Sequence, residues 1–207
     1  MINLDYYGIT FEKHSTLSIS QFFQELRKDF GGLIFKESDA GEFNPYPFKD
    51  DKMASENKKK WESTQPKGAL MNFVLESSHS FGISWDRSSG RLQINLEEGD
   101  VLVTCSSATD FIFSVVKTEA HGWHPVSGNR GFGVKDNGDG TWTFYTMAAD
   151  RISRHFIASI VKETVFEQGH KVWLGMLANF QKKFADLSPR SPVINSRRYN
   201  YPACCGF

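Results

Sequence analysis

Cys105, His121 and His124 are the residues whose types and spacing could do chemistry in this chain. A cysteine attacks as its thiolate, and a neighbouring imidazole can take its proton. A Cys near the end of one strand and a His just past the next could meet across adjacent strands, with Asp110 or Glu119 as an orienting carboxylate. The plainer account of Cys105 is a small buried strand residue. His121-Gly122-Trp123-His124 sets two imidazoles three apart, but Gly122 and Pro125 make this a turn. No Cys or carboxylate stands at ligand spacing, so no metal is expected. Ser127–Gly133 carries Gly128, Gly131 and Gly133, which is not a dinucleotide spacing. It leads into a strand, so no helix N-terminus is offered to a phosphate. A bulged strand entry accounts for it, and no cofactor is expected. Arg130, if it faced a cavity, would hold a carboxylate or phosphate head; surface exposure is the plainer expectation. Arg151, Arg154 and His155 open a helix at the end where basic groups oppose the dipole, and Asp150 and Glu119 nearby account for them.

Composition narrows the setting. The 207 residues are 40% hydrophobic and 23% charged with formal net charge zero, ordinary for a soluble globular domain. That balance gives no electrostatic case for nucleic acid. The 18 Phe, 5 Trp and 6 Tyr fill a thick core or line an apolar cavity. Cys105, Cys204 and Cys205 are not a disulfide framework, which favours a cytoplasmic setting or export by a leaderless route. Neither a signal peptide nor a membrane span is visible. Cys204-Cys205-Gly206-Phe207 formally matches a prenylation box, but its middle residues are poor aliphatics.

The elements that must position these residues follow from periodicity. Residues 3–12 read as a strand. Ser18 with Gln21 forms a capping box for a helix whose stripe is Ile19, Phe22, Phe23, Leu26 and Phe30, ended by Gly31-Gly32. Leu33–Phe35 reads as a short strand. Residues 37–67 read as a polar surface excursion with one short helix over 50–61 and a solvated lysine run. From Gly68 the period becomes two: Leu70–Leu75, Phe81–Trp85, Arg91–Leu96, Val101–Cys105, Phe111–Val116, Arg130–Lys135 and Thr141–Met147 read as an antiparallel meander. Asp136-Asn137-Gly138-Asp139-Gly140 closes its last hairpin. Asp150 then caps a long amphipathic helix with an apolar stripe from Ile152 to Leu187, kinked or split at Gly169 and stopped at Pro189. The expectation is an α+β fold: a curved antiparallel sheet of about seven strands gripping a long C-terminal helix, with one N-terminal helix. Residues 1–187 make a single domain and 188–207 an irregular tail packed on the body. A protein partner could dock through 37–67 or 188–207.

That element order resembles the START-like, or Bet v 1-like, helix-grip superfamily. Locally, His121, Gly122, His124, Gly128, Arg130, Phe132, Asp139, Gly140, Trp142 and Phe144 resemble the pattern of a family of unknown function within it. The match covers roughly residues 120–185. That family's Ser-Lys/Arg-Pro before the helix is Asp150-Arg151-Ile152 here. The resemblance implies an apolar-ligand cavity and no particular chemistry. The Cys105 and His121 pair also resembles the Cys-His dyad of bacterial toxin deamidases, although their Ser-Gly step before the cysteine is Val103-Thr104 here.

The reading is a soluble helix-grip module that encloses a hydrophobic or amphipathic small molecule between sheet and helix. Trp142, Phe144, Phe156 and Trp173 would form the walls, with His124 or Arg130 at the mouth. The rival is a leaderless bacterial effector acting through Cys105 and His121 as a deamidase or other thiol acyl-transfer enzyme.

Overall fold

The computed structural model describes residues 2–35, 41–75, 85–86, 91–92, 98–122, 126–152 and 162–199. Its centre is an antiparallel sheet in the order β10-β1-β9-β8-β7-β6-β3-β2. These strands are β1 (Ile2–Glu12), β2 (Gly41–Pro45), β3 (Leu70–Leu75), β6 (Glu98–Ser106), β7 (Asp110–Val116), β8 (Val126–Asp136), β9 (Thr141–Ile152) and β10 (Val193–Tyr199). Two short strands, β4 (Trp85–Asp86) and β5 (Arg91–Leu92), pair separately. Most of the two strands expected over 81–96 lies outside the described residues.

The inner face follows from alternation. On β1, Tyr7, Ile9 and Phe11 are fully buried while Leu4 stands 41% exposed on the outer face. Against the inner face lie α1 (Ile19–Lys28), α2 (Phe30–Phe35) and α4 (Lys162–Lys183). The Ser18–Gln21 capping box forms as expected: Gln21 N donates to Ser18 Oγ and Ser18 N to Gln21 Oε1 at 3.0 Å. α1 buries Phe22, Phe23 and Leu26. Met176, Leu177 and Phe180 of α4 are wholly buried, and Phe180 stacks on Phe144 with centroids 5.0 Å apart. The sheet grips its last helix, as the periodicity predicts. α4 runs through Gly169 unbroken.

Four local expectations are corrected. Leu33–Phe35 is helical rather than a strand: Phe30, Leu33 and Ile34 are buried at helical spacing in α2, and a three-residue apolar run cannot show its own period. The excursion at 37–67 carries an edge strand, β2, paired with β3 from Gly41↔Leu75 to Pro45↔Met71. Its helix α3 (Asp51–Glu62) is the short helix expected there and keeps Lys58, Lys59 and Lys60 exposed, while Trp61 and Asn57 are buried. Asn57 exchanges two hydrogen bonds with the Leu70 backbone, at 2.7 and 2.8 Å. Asp150 caps no helix, because β9 continues to Ile152 with a partner strand on each side. The tail at 193–199 is a strand, β10, hydrogen-bonded to β1.

Arg27 is the least expected core residue. It is 2% exposed, and among the described residues no carboxylate is bonded to it. Its guanidinium donates to the carbonyls of Trp61 and Ser63 at the end of α3 and to Gln24 Oε1. It also lies 5.1 Å from the Trp61 ring. A cation here complements the negative end of the helix dipole, while burial pushes the pKa of Arg27 down. Arg27→Met should leave those carbonyls without donors and cost roughly 1–3 kcal/mol. Urea unfolding would read the loss, and hydrogen exchange over 51–62 would show the end of α3 fraying first.

Candidate functional site

Three strands meet at one end of the inner face. Register aligns Phe132, Thr146 and Tyr7 in one row across β8, β9 and β1. Arg130, Ala148 and Asp5 form the next row, and Gly128, Asp150 and Asn3 the one after. Within these few residues the face changes from aromatic to charged.

Arg130 anchors the change. Its Nη2 lies 2.8 Å from Asp5 Oδ2 and 3.2 Å from Asp150 Oδ2, and its Nη1 donates to Thr146 Oγ1 at 3.3 Å. The guanidinium sits 4.2 Å from the centre of the Trp173 ring on α4. The three charged side chains are between 5% and 12% exposed, so the cluster is internal. Asn3 Nδ2 donates to Asp5 Oδ2 at 2.9 Å. Gly128 makes room for the Asp150 carboxylate, since a Cβ there would fall 2.5 Å from Oδ1. Burial pushes the Asp150 carboxyl up to about 6, held down in part by Arg130 and raised further by Asp5.

Beside this cluster the interior opens. A cleft of about 240 Å³ lies between Asn3 and Tyr7 of β1, Ser196 and Arg198 of β10, and Phe166, Glu167 and His170 of α4. Tyr7 Oη and His170 Nδ1 are 2.8 Å apart. Burial, with Asp5 adding to it, pushes the Tyr7 phenol up to about 12, so Tyr7 keeps its proton at neutral pH and can donate to Nδ1. The Arg198 guanidinium lies 5.6 Å from the Phe166 ring. The arrangement offers polar groups at the base and an aromatic wall.

The residues singled out in the sequence separate. Arg130 is inside rather than on the surface, already neutralised by carboxylates, and is not a free headgroup ligand. Trp173 lies on its guanidinium. Trp142 packs against Phe22 and Phe11, with centroids 5.6 and 6.2 Å apart, and Phe144 against Phe180. Both belong to the packed core and line no opening among the described residues. His124, Phe156, Arg154, His155, Cys204 and Cys205 lie outside the described residues.

Cys105 and His121 are not brought together. A register shift between Val103 and Cys105 sets Cys105 opposite Ile112, on the outer face, where it is exposed. His121 Nδ1 lies 2.8 Å from Asp100 Oδ2, at the other end of β6. Five residues of strand separate Asp100 from Cys105, roughly 16 Å at strand rise. Asp100 is 1% exposed and also accepts from Asn72 Nδ2 and Thr118 Oγ1. This pair pins the loop after β7 onto the sheet.

The sequence reading missed Asn3, Asp5, Tyr7, His170 and Arg198. A signal existed for the first three: Asn3 and Asp5 share the parity of Ile9 and Phe11, so a strand with those two buried must bury the polar pair as well. Nothing local marks His170 or Arg198.

No family model and no curated protein matches the chain. Solved structures of similar fold include a conserved protein from Geobacillus kaustophilus (TM-score 0.49, 7% identity, 94% of this chain and 99% of that one). A START superfamily protein from Mycobacterium smegmatis (0.47, 6%, 89% and 99%) and Ara h 8.0201 (0.42, 8%, 83% and 95%) are others. At these identities the likeness concerns fold alone.

The raised Asp150 carboxyl has a signed consequence for stability. Its folded value of about 6 exceeds the ordinary 3.8, so the folded state binds more protons between those values. Its contribution is therefore fully present below 3.8 and is lost as pH rises through about 6. The scale is about 1.4 kcal/mol per pKa unit. Between pH 7 and pH 5, urea midpoints of the wild type should rise relative to those of Asp150→Asn, in which this dependence is absent.

Proposed function

We propose that this chain is a binding module for a small amphipathic molecule, held in the cleft between β1, β10 and α4. The observation that carries the reading is the change on the inner face. Elsewhere aromatic rings interlock, as Phe30 does with Phe132 at 4.8 Å and Phe11 with Phe180 at 4.9 Å. At this end the face becomes polar beside an opening. Binding pockets combine an apolar lining with a few placed polar groups. Here Phe166 supplies apolar surface, while Tyr7, His170 and Asn3 supply orientation.

The site differs from the one the sequence suggests. The cleft takes its apolar wall from Phe166 rather than from Trp142 and Phe144, which are buried in the core. The cleft is also smaller than the roughly 300–1,000 Å³ usual for ligand pockets, which suits a small occupant or the head of a larger one with its apolar part toward Ile194. Ile194 shares the register of Tyr7 and is 42% exposed. The thiol–imidazole alternative has no geometric support, because Cys105 and His121 lie on different parts of the sheet.

Native mass spectrometry of protein purified without detergent should show an added small-molecule mass. Ser196→Trp, which fills the cleft from β10, should remove that mass while leaving the far-ultraviolet circular dichroism unchanged. A wild type that carries nothing and takes up no apolar fluorescent probe would defeat the reading.

A further inference from the structure

The strand that closes the cleft brings a cation to it. β10 pairs with β1 so that Arg198 stands opposite Asn3 and Ser196 opposite Asp5. Opposed residues of paired strands share a face, and Arg198, Ser196, Asn3 and Tyr7 all line the cleft. The carboxylates of Asp5 and Asp150 are engaged by Arg130. Among the described residues no carboxylate is bonded to Arg198, whose guanidinium lies 5.6 Å from the Phe166 ring.

An arginine on an edge strand ordinarily extends into water. This guanidinium is tied to two residues of the cleft lining. Phe166, 7% exposed, offers it a ring. Its charge also reaches the Tyr7 hydroxyl: burial and Asp5 push that phenol up, while Arg130 and Arg198 draw it back. Glu167 lines the cleft from α4 but is exposed and is not among the charges acting at that hydroxyl. An arginine beside an aromatic ring keeps its in-plane N–H donors for an oxyanion. Other lining donors accompany it. Ser196 adds a hydroxyl. Tyr7 donates to His170 Nδ1 at 2.8 Å, so a neutral His170 carries its proton on Nε2 and has it to give.

Resting on the ligand-binding reading above, we propose that the occupant is an amphipathic carboxylate, whose head is bound by the Arg198 guanidinium, with Ser196 and His170 as further donors, while its apolar part lies against Phe166. The planar guanidinium matches a carboxylate through two parallel N–H···O bonds. A singly charged head balances Arg198, whereas the second charge of a phosphate would stand in excess beside Glu167. An ammonium would meet Arg198 as a like charge. A hydroxyl would take one hydrogen bond and leave the charge of Arg198 uncompensated.

Titrating the full chain with octanoate, octanol and octylamine at pH 7.5, followed by calorimetry, tests the proposal. Octanoate should bind roughly tenfold more tightly than either of the others, and added salt should weaken octanoate while sparing octanol. Arg198→Gln, a change at an exposed position, should erase the preference and leave octanol binding as it was. Glu167→Gln should tighten octanoate a few-fold by removing a like charge from the lining. Ser196→Trp should remove binding of all three. Equal binding of octanol and octanoate would overturn the carboxylate assignment and leave the cleft as a binding site. Tighter octylamine would assign Glu167 as the headgroup anchor and overturn it too. An octanoate preference that survives Arg198→Gln or Ser196→Trp would put the acid elsewhere and overturn the proposal. No binding of any of the three would overturn both readings.

Discussion

The register of β1 on β9 is the constraint on which the rest depends. It runs without a break from Ile2↔Arg151 to Glu12↔Thr141. Side chains alternate with a period of two, so a slip of β1 by one residue would turn Ile9 and Phe11 to solvent and bring Tyr6 and Thr10 inward. The same register aligns Asp5 with Arg130 across Ala148, a residue small enough for the charges to meet over it. Core and polar site are thus two ends of one alternation.

Burying Arg130 between two carboxylates is weak evidence of stability. A buried ion group often does no better than well-packed apolar residues, because desolvation offsets the attraction. Here one of the carboxylates, Asp150, is pushed toward its neutral form chiefly by burial, against the pull of Arg130. A purely structural cluster would more naturally pair one acid with one base. The opening beside this cluster is why this end of the molecule reads as a site and the Asp100–His121 pair does not. Asp100 is saturated with hydrogen bonds from Asn72, Thr118 and His121.

β10 deserves the same physical reading. Every one of its residues is exposed, although it is hydrogen-bonded to β1 along its length. None of its side chains is fully buried, so the backbone ladder is its main tie to the sheet. It covers the otherwise open edge of β1, a position where an unpaired strand invites association, and it contributes Ser196 and Arg198 to the cleft.

Local patterns in the chain were sufficient for those elements whose signals are local. The capping box at Ser18 and Gln21, the hairpin glycines at 138 and 140, and the period-two runs from Leu70 onward each rest on neighbours in sequence. So does the apolar stripe through Met176, Leu177 and Phe180, and together they imply a sheet that grips a helix. What only the tertiary structure decided are features set by residues far apart. Ala148-Ala149-Asp150 has no strand character of its own and becomes strand because β1 and β8 pair on both sides of it. Residues 193–199 become a strand because β1 offers them an edge. Cys105 turns outward because of a register shift against β7, and the site assembles from β1, β8, β9, β10 and α4. Alternation and helical spacing reveal which face a residue takes; they carry no information about which distant charge will stand opposite it.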